Sequence, residues 1–456
     1  MPCCSSQNSS KKGSGDAEIK PPAFVSLLKD KKIFGWAMYD WANSAFSTIV
    51  VSALFGPYLS FSTRSCGGLK LFSIPIEPDS IYPFFVSVSV ILQLVLLPVV
   101  GATVDLLGNK RTVLVTLAAM GAVCTCMLGV LDPSCEVRQT ILVNCLLFVF
   151  ANLFFGASVA IYNSFLVDIA PPKLRDRVSC LGWAVGYLGG GLALGLCLGL
   201  FVFLDQTDGV RASFVLAGLW WFLFTAIYPA RVLKDHQNKG DINLKDAVIK
   251  GIRSPFFTLK QMRKTSPTAW RFLLAYFFYN DGVQTVIAVA SLFAVSTLKI
   301  RGEVLILLIL FIQFIAMFGS LFFALVGEKL GTKQAIVLSL VGWLFIVFYA
   351  YLYLDSLKDL FLLAFFTALV MGGTQALSRS LFSELVPISS QAEYFGFYEV
   401  SEKGSSWLGP MVFAIAVQLT GSSRVAMVSI GIFFVVGIIL LIRMKGKGEA
   451  MTPVRQ

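Results

Sequence analysis

The chain has 456 residues, 56% hydrophobic and 14% charged, with a mean hydropathy of +0.77. A soluble domain carries about 25% charged residues, so this composition excludes a soluble globular protein, and the unbroken apolar runs argue against a β-barrel, whose strands alternate in pieces of about ten residues. The net charge of +11 does not mark a nucleic-acid binder, because the bases are spread over loops between apolar runs, where they orient a membrane protein.

Residues 1–32 form a polar, basic tail ("SSKKGSGD", "KDKK") without the apolar stretch of a signal peptide. Cys3 and Cys4 in it could carry palmitate or lie in plain disorder. A first six-helix bundle is expected over 33–230, with spans near 33–61, 80–103, 112–131, 139–167, 178–204 and 210–230. A linker, 231–269, follows. A second bundle, 270–443, has spans near 270–297, 303–326, 334–354, 358–384, 394–419 and 424–443, before a tail at 444–456. Lys31, Lys32, Lys110, Arg111, Lys173, Arg175, Arg177, the linker, Lys329, Lys333 and Arg443 fall on one side. The positive-inside rule puts that side, with both termini, in the cytoplasm.

In the linker, Leu244, Val248 and Ile252 at helical spacing, with Asp241 as N-cap, predict a short amphipathic helix on the membrane surface or a simple tether. Cys66 and Cys135 fall in loops on the non-cytoplasmic side, where an oxidising lumen would permit a disulfide between them. Cys124, Cys126, Cys145, Cys180 and Cys197 lie within spans as small apolar residues.

The two halves repeat. "GATVDLLGNKR" after span 2 places Gly101, Asp105, Gly108, Lys110 and Arg111; "ALVGEKLGTK" after span 8 places Ala324, Glu328, Gly331 and Lys333 at matching spacing. "DIAP" at Asp168–Pro171 answers "ELVP" at Glu384–Pro387, and "DWAN" in span 1 answers "DGVQ" in span 7. This is an all-α membrane protein of six plus six helices in parallel repeat, the arrangement of the major facilitator superfamily. The pattern at 101–111, a glycine-rich loop with an acid and two bases, resembles the loop motif of major facilitators between spans 2 and 3. The glycines permit a tight reversal, and the charges can latch helix ends or the two halves together, a gating role, or serve topology and folding alone.

Several polar residues sit inside the spans. Asp40 lies roughly 10 Å deep and Asp281 roughly 16 Å deep at 1.5 Å per residue, where an ionised group persists only if paired, neutralised or wet. Asn43 shares a face with Asp40, and Arg379 in "GGTQALSRS" is the basic partner expected for these acids. Tyr39, Tyr162, Asn163, Tyr279, Asn280, Gln284 and Gln375 could bond a small polar ligand or join helices. Glu399, Glu402 and Lys403 could pair at i,i+4 or form a solvated helix mouth. Gly182, Gly186, Gly191, Gly195 and Gly199 form a packing stripe on span 5. No metal cluster, phosphate loop or nucleophile triad is visible, so neither a cofactor nor enzyme chemistry is expected, and His236 is assigned nothing.

"WAMYDWANSAF" resembles the signature of the vacuole effluxer family, the group of autophagy-related protein 22. "YNSFL" at 162–166, "VSCLGWAVGYLGG" at 178–190, "YNDGVQT" at 279–285, "GGTQALSRSLFSELVP" at 372–387 and "AEYFGFYEVSEKGSSWLGP" at 392–410 agree with it. Ala324 departs from the loop motif's leading glycine. The resemblance implies a twelve-helix secondary transporter working by alternating access between lipid-embedded halves. It implies export of small neutral amino acids such as leucine, isoleucine and tyrosine from a vacuole to the cytosol after autophagy. A bacterial protein of this kind would sit in the plasma membrane. In that picture Arg379 attracts the substrate carboxylate. Asp40 or Asp281, with Asn43, Asn280 and Gln284, receives the ammonium, and a proton can ride on one of the acids. A carrier for a sugar, drug or lysolipid, and a transport-inactive sensor or scaffold, are the alternatives.

Overall fold

Apolar runs of this length must satisfy their own backbone in lipid, and an α-helix does so within one segment. The computed structural model describes residues 22–65, 69–71, 74–131, 138–235, 242–296 and 302–444. The first half holds α1 (Lys31–Ser65), α2 (Pro78–Leu107), α3 (Lys110–Val130), α4 (Arg138–Ile169), α5 (Arg175–Phe203) and α6 (Gln206–Ile227). The linker holds α7 (Leu244–Thr265). The second half holds α8 (Pro267–Ser296), α9 (Gly302–Leu330), α10 (Thr332–Tyr353), α11 (Leu357–Leu385), α12 (Gln391–Gly404), α13 (Leu408–Thr420) and α14 (Ser423–Arg443). A small antiparallel hairpin, β1 (Leu69–Leu71) and β2 (Ile74–Ile76), joins α1 to α2 with Leu69 opposite Ile76. Cys3, Cys4, Cys66, Cys135, His236 and Asp241 lie outside the described residues.

Local signals set the helix ends. Asp30 starts α1 by accepting from the amides of Lys32 at 2.8 Å and Ile33 at 3.4 Å. Ser356 and Asp359 form a reciprocal capping box at the start of α11. Gly108 at φ 70° and Gly331 at φ 90° turn the chain after α2 and α9, in conformations that a side chain resists.

Among the described residues, eleven helices are long and apolar enough to cross a membrane. The crossing expected as one unbroken helix over 394–419 is instead split into α12 and α13 around 405–407. Gly404, Ser405 and Ser406 are poor helix formers. Pro410 has no N–H to donate to the carbonyl of Ser406 and its ring clashes there, yet it fits in the first turn of α13. Within α1, residues 46–54 adopt the wider π-helical winding, a feature frequent at functional sites.

The linker helix is longer than expected and begins after Asn243. It buries Ala247, Gly251, Pro255 and Met262, with Gly251 against Thr103 of α2. Leu244, Val248 and Ile252, the residues that suggested amphipathicity, are exposed together with Phe256 and Phe257.

Two apolar cores result. One, from α1–α6, surrounds Trp36, Phe46, Phe148 and Trp221; the other, from α8–α14, surrounds Tyr276, Trp343, Phe382 and Phe434. They meet along two seams, α2 on α12 and α5 on α9. A Cβ on Gly101 would lie 2.2 Å from the Ala392 carbonyl oxygen, so the glycine is what lets α2 and α12 touch. The α5 glycine stripe divides: Gly182 packs on Trp36, Asp40 and Arg379, and Gly191 on Gln313, whereas Gly195 and Gly199 face open space.

Candidate functional site

The charged-loop face closes through contacts between the bundles. Asp105, at the end of α2, accepts from the backbone amides of Ala392 at 3.1 Å and Glu393 at 2.9 Å. These are first-turn donors of α12 with no acceptor inside the helix, so an acid of one bundle caps a helix of the other. Lys110 donates to Asp168 at 3.0 Å and to Gln391 across the seam. Arg177 grips Glu328 with two N–H groups, Arg175 donates to the Ser383 carbonyl at 2.8 Å, and the Thr332 hydroxyl donates to Asp176 at 2.7 Å.

Arg111 and Lys333 instead stay within their own bundles. Arg111 donates to the Ala230 carbonyl at 2.6 Å, and Lys333 to the carbonyls of Ile442 at 3.2 Å and Met444 at 2.7 Å. Each ties its loop to the end of its bundle's last helix. The equivalent lysines of the two loops diverge: Lys110 reaches across the seam to Gln391, whereas Lys333 stays on the carbonyls of its own bundle.

Deeper in, Asp40 and Arg379 form an ion pair at 3.1 Å, and the Tyr162 hydroxyl donates to the same carboxylate oxygen at 2.7 Å. Arg379 is 2% exposed. Its Nε donates to Ser179 Oγ at 2.9 Å, Nη2 to the Ser179 carbonyl at 2.7 Å and Nη1 also to Asn163 Oδ1 at 3.1 Å. The guanidinium lies over Trp36 at 4.8 Å and beside the rings of Tyr162 and Trp183 at 5.5 Å. Asn163 then donates to Glu399 at 2.8 Å, and Glu399 stands 3.8 Å from Lys403. Along the line Asp40, Arg379, Asn163, Glu399, the members come alternately from the two bundles.

Of the two acids expected to meet Arg379, the structure brings only Asp40 to it. Arg379 is paired with Asp40, not with Asp281, and spends its donors on protein acceptors, so it does not present a free guanidinium to a carboxylate in this conformation. Asp281 is 0% exposed, and neither of its carboxylate oxygens has a hydrogen-bond partner among the described residues. It stands at the break in the split crossing, where a Cβ on Gly409 would lie 3.2 Å from Asp281 Oδ1.

Asn280 reaches the same region, donating to the Glu402 carbonyl at 2.8 Å, while the Tyr276 hydroxyl donates to the Glu402 side chain at 2.8 Å. Gln284, half-buried, follows one turn along α8. Gln375 accepts from the Tyr187 hydroxyl at 2.7 Å. Asn43 is buried, with no partner for its amide nitrogen among the described residues. Ser179, Trp36 and Trp183 join the site although sequence reasoning did not single them out; their place inside the stretches 36–46 and 178–190 was the signal available. Among the described residues no group of three or more His, Cys, Asp or Glu could hold a metal ion.

Two bundles of membrane-length helices that meet on two seams, with the buried Asp40–Arg379 ion pair between them, fit a transporter of the major facilitator type. Solved transporters of that type share the fold. The proton:xylose symporter XylE superposes with a TM-score of 0.69 at 12% identity, over 91% of this chain and 94% of that one. The human organic anion transporter MFSD10 gives 0.65 at 16% identity, over 92% and 100%.

The chain belongs to the family described as "Vacuole effluxer Atg22 like", whose profile matches residues 29–450. It is 31% identical over 414 residues to the uncharacterized MFS-type transporter YxiO of Bacillus subtilis, covering 89% of this chain and 93% of that protein. It is 25% identical over 472 residues to autophagy-related protein 22 of Kluyveromyces lactis, covering 91% and 94%. It is a multi-pass integral membrane transporter, not an enzyme.

Proposed function

We propose that the protein is an alternating-access carrier that releases small neutral amino acids of the leucine, isoleucine and tyrosine type from a vacuole-like lumen into the cytosol. The observation that carries this reading is the buried polar line between the bundles, in which the Asp40–Arg379 pair and the Glu399–Lys403 pair are joined through Asn163. A neutral amino acid brings one charge of each sign and can enter such a line without leaving a lone ion in the membrane interior. A ligand with a single net charge leaves one behind, at a desolvation cost.

The Asp40–Arg379 pair is the element that must part for the bundles to rock. Gly101, Asp105, Lys110 and Glu328 latch the charged-loop face, Gly108 and Gly331 shape its turns, and Arg111 and Lys333 anchor it. With the termini and linker in the cytosol by the positive-inside rule, the conformation described is closed to the cytosol. Gly195 and Gly199 facing open space toward the other end of α5 support that reading. Asp281, with Asn280 and Gln284 beside it, is the site at which a proton would be carried. Asn43 and Gln375 line the path between the bundles.

The test is labelled leucine flux in proteoliposomes with and without a pH gradient. The wild type is expected to move leucine faster with the gradient, Arg379→Ala to lose flux, and Asp281→Asn to lose the dependence on the gradient. Wild-type flux in both variants would remove these residues from the mechanism.

A further inference from the structure

Arg379 is committed to protein acceptors, so the charged head of a substrate needs another place to dock. A second charged group in the buried line is not committed. Lys403, in the last turn of α12, makes no hydrogen bond through Nζ among the described residues. Its nearest acid, Glu399, is 3.8 Å away, and its nearest ring face, Phe155, has its centroid at 5.0 Å. An ammonium buried this way loses its hydration without regaining equivalent partners.

Facing it is Gln93 of α2, 1% exposed, whose Oε1 also lacks a partner among the described residues. The amide is not free to turn round, because its Nε2 donates to the Asn152 carbonyl at 3.2 Å, an acceptor that Oε1 could not serve. Gly156 makes the meeting possible. A Cβ there would lie 2.8 Å from Lys403 Nζ and 2.3 Å from Gln93 Oε1, so both heads converge on bare helix backbone.

We infer that Lys403, Glu399 and Gln93 form the docking site for the zwitterionic head of the substrate. This rests on the amino-acid reading above and specifies it. The carboxylate accepts from Lys403 Nζ. The ammonium donates to Glu399 Oε2 and Gln93 Oε1, both of which have capacity to accept. The loose Lys403–Glu399 pair is replaced by two charge-assisted contacts and the net buried charge stays the same. Gln93 belongs to the first bundle and Lys403 and Glu399 to the second, so rocking the bundles takes the site apart. That is what a carrier requires of a site it must fill on one side and empty on the other. Asp40–Arg379, close by and with four of the guanidinium's five N–H groups already donated to protein, then serves as a lock and not as the receptor.

The experiment is isothermal titration of the purified full-length protein with L-leucine, with leucinamide, which lacks the carboxylate, and with 4-methylpentanoate, which lacks the ammonium. Leucine is expected to bind at least about tenfold more tightly than either analogue. Lys403→Gln should weaken leucine by about that factor and erase its preference over leucinamide. Glu399→Gln should erase the preference over 4-methylpentanoate, and Lys403→Arg should retain both preferences. If a single variant fails to fold, the Glu399→Gln, Lys403→Gln double variant keeps the buried charge balanced and should show both losses. Leucine bound by Lys403→Gln as by wild type, with its preference intact, overturns the docking site and leaves the amino-acid reading standing. Wild-type protein that binds none of the three overturns both.

Discussion

Asp40 and Asp281 occupy matching motifs in the two repeats, yet their surroundings are opposite. Asp40 is held by a guanidinium from the other bundle and by a tyrosine hydroxyl. Asp281 has no hydrogen-bond partner among the described residues and stands at a helix break. The repeat therefore preserves the path of the backbone and leaves the chemistry of each half free to diverge. One aspartate carries an ion pair that holds the bundles together. The other makes neither contact. Asp105 lies between these extremes, with two backbone amides as its partners.

This gradation can be broken by substitution. Arg379→Ala should have the largest effect, because it leaves Asp40 buried without its counter-charge. A loss of about 3–5 kcal/mol is expected, read as a large fall in melting temperature of the detergent-purified protein, and the Asp40→Asn, Arg379→Gln double variant should recover much of it. Asp105→Ala removes a helix cap and should cost about 1 kcal/mol by the same measurement. Asp281→Asn orphans no partner and should change stability by less than about 1 kcal/mol, while altering flux. If Asp281→Asn destabilised the protein as much as Arg379→Ala, the contrast between the two aspartates would be lost.

Much of the architecture was legible because its signals are local. Apolar run length gives the spans, and loop charge gives their alternation. Gly108 and Gly331 stand where a chain reversal needs them. The split of the eleventh crossing was written in Gly404, Ser405, Ser406 and Pro410, but the apolar residues on both sides satisfy a span-length criterion and hide it. The site was legible only in part. Glu399 and Lys403 pair along one helix, so their spacing reveals them. Which acid would meet Arg379 depends on how two bundles dock, and residues 339 positions apart in the chain carry no local sign of contact. Gln93 and Gly156 were invisible for the same reason, since each matters only through what the other bundle brings to it.

The cap that Asp105 lends to α12 ties helix order to the transport cycle. Whenever the charged-loop face parts, the amides of Ala392 and Glu393 lose their acceptor and this helix terminus should fray. Their hydrogen exchange is thus a native gauge of how often that gate stands ajar, readable without any label and slowed by whatever ligand or lipid keeps the halves together.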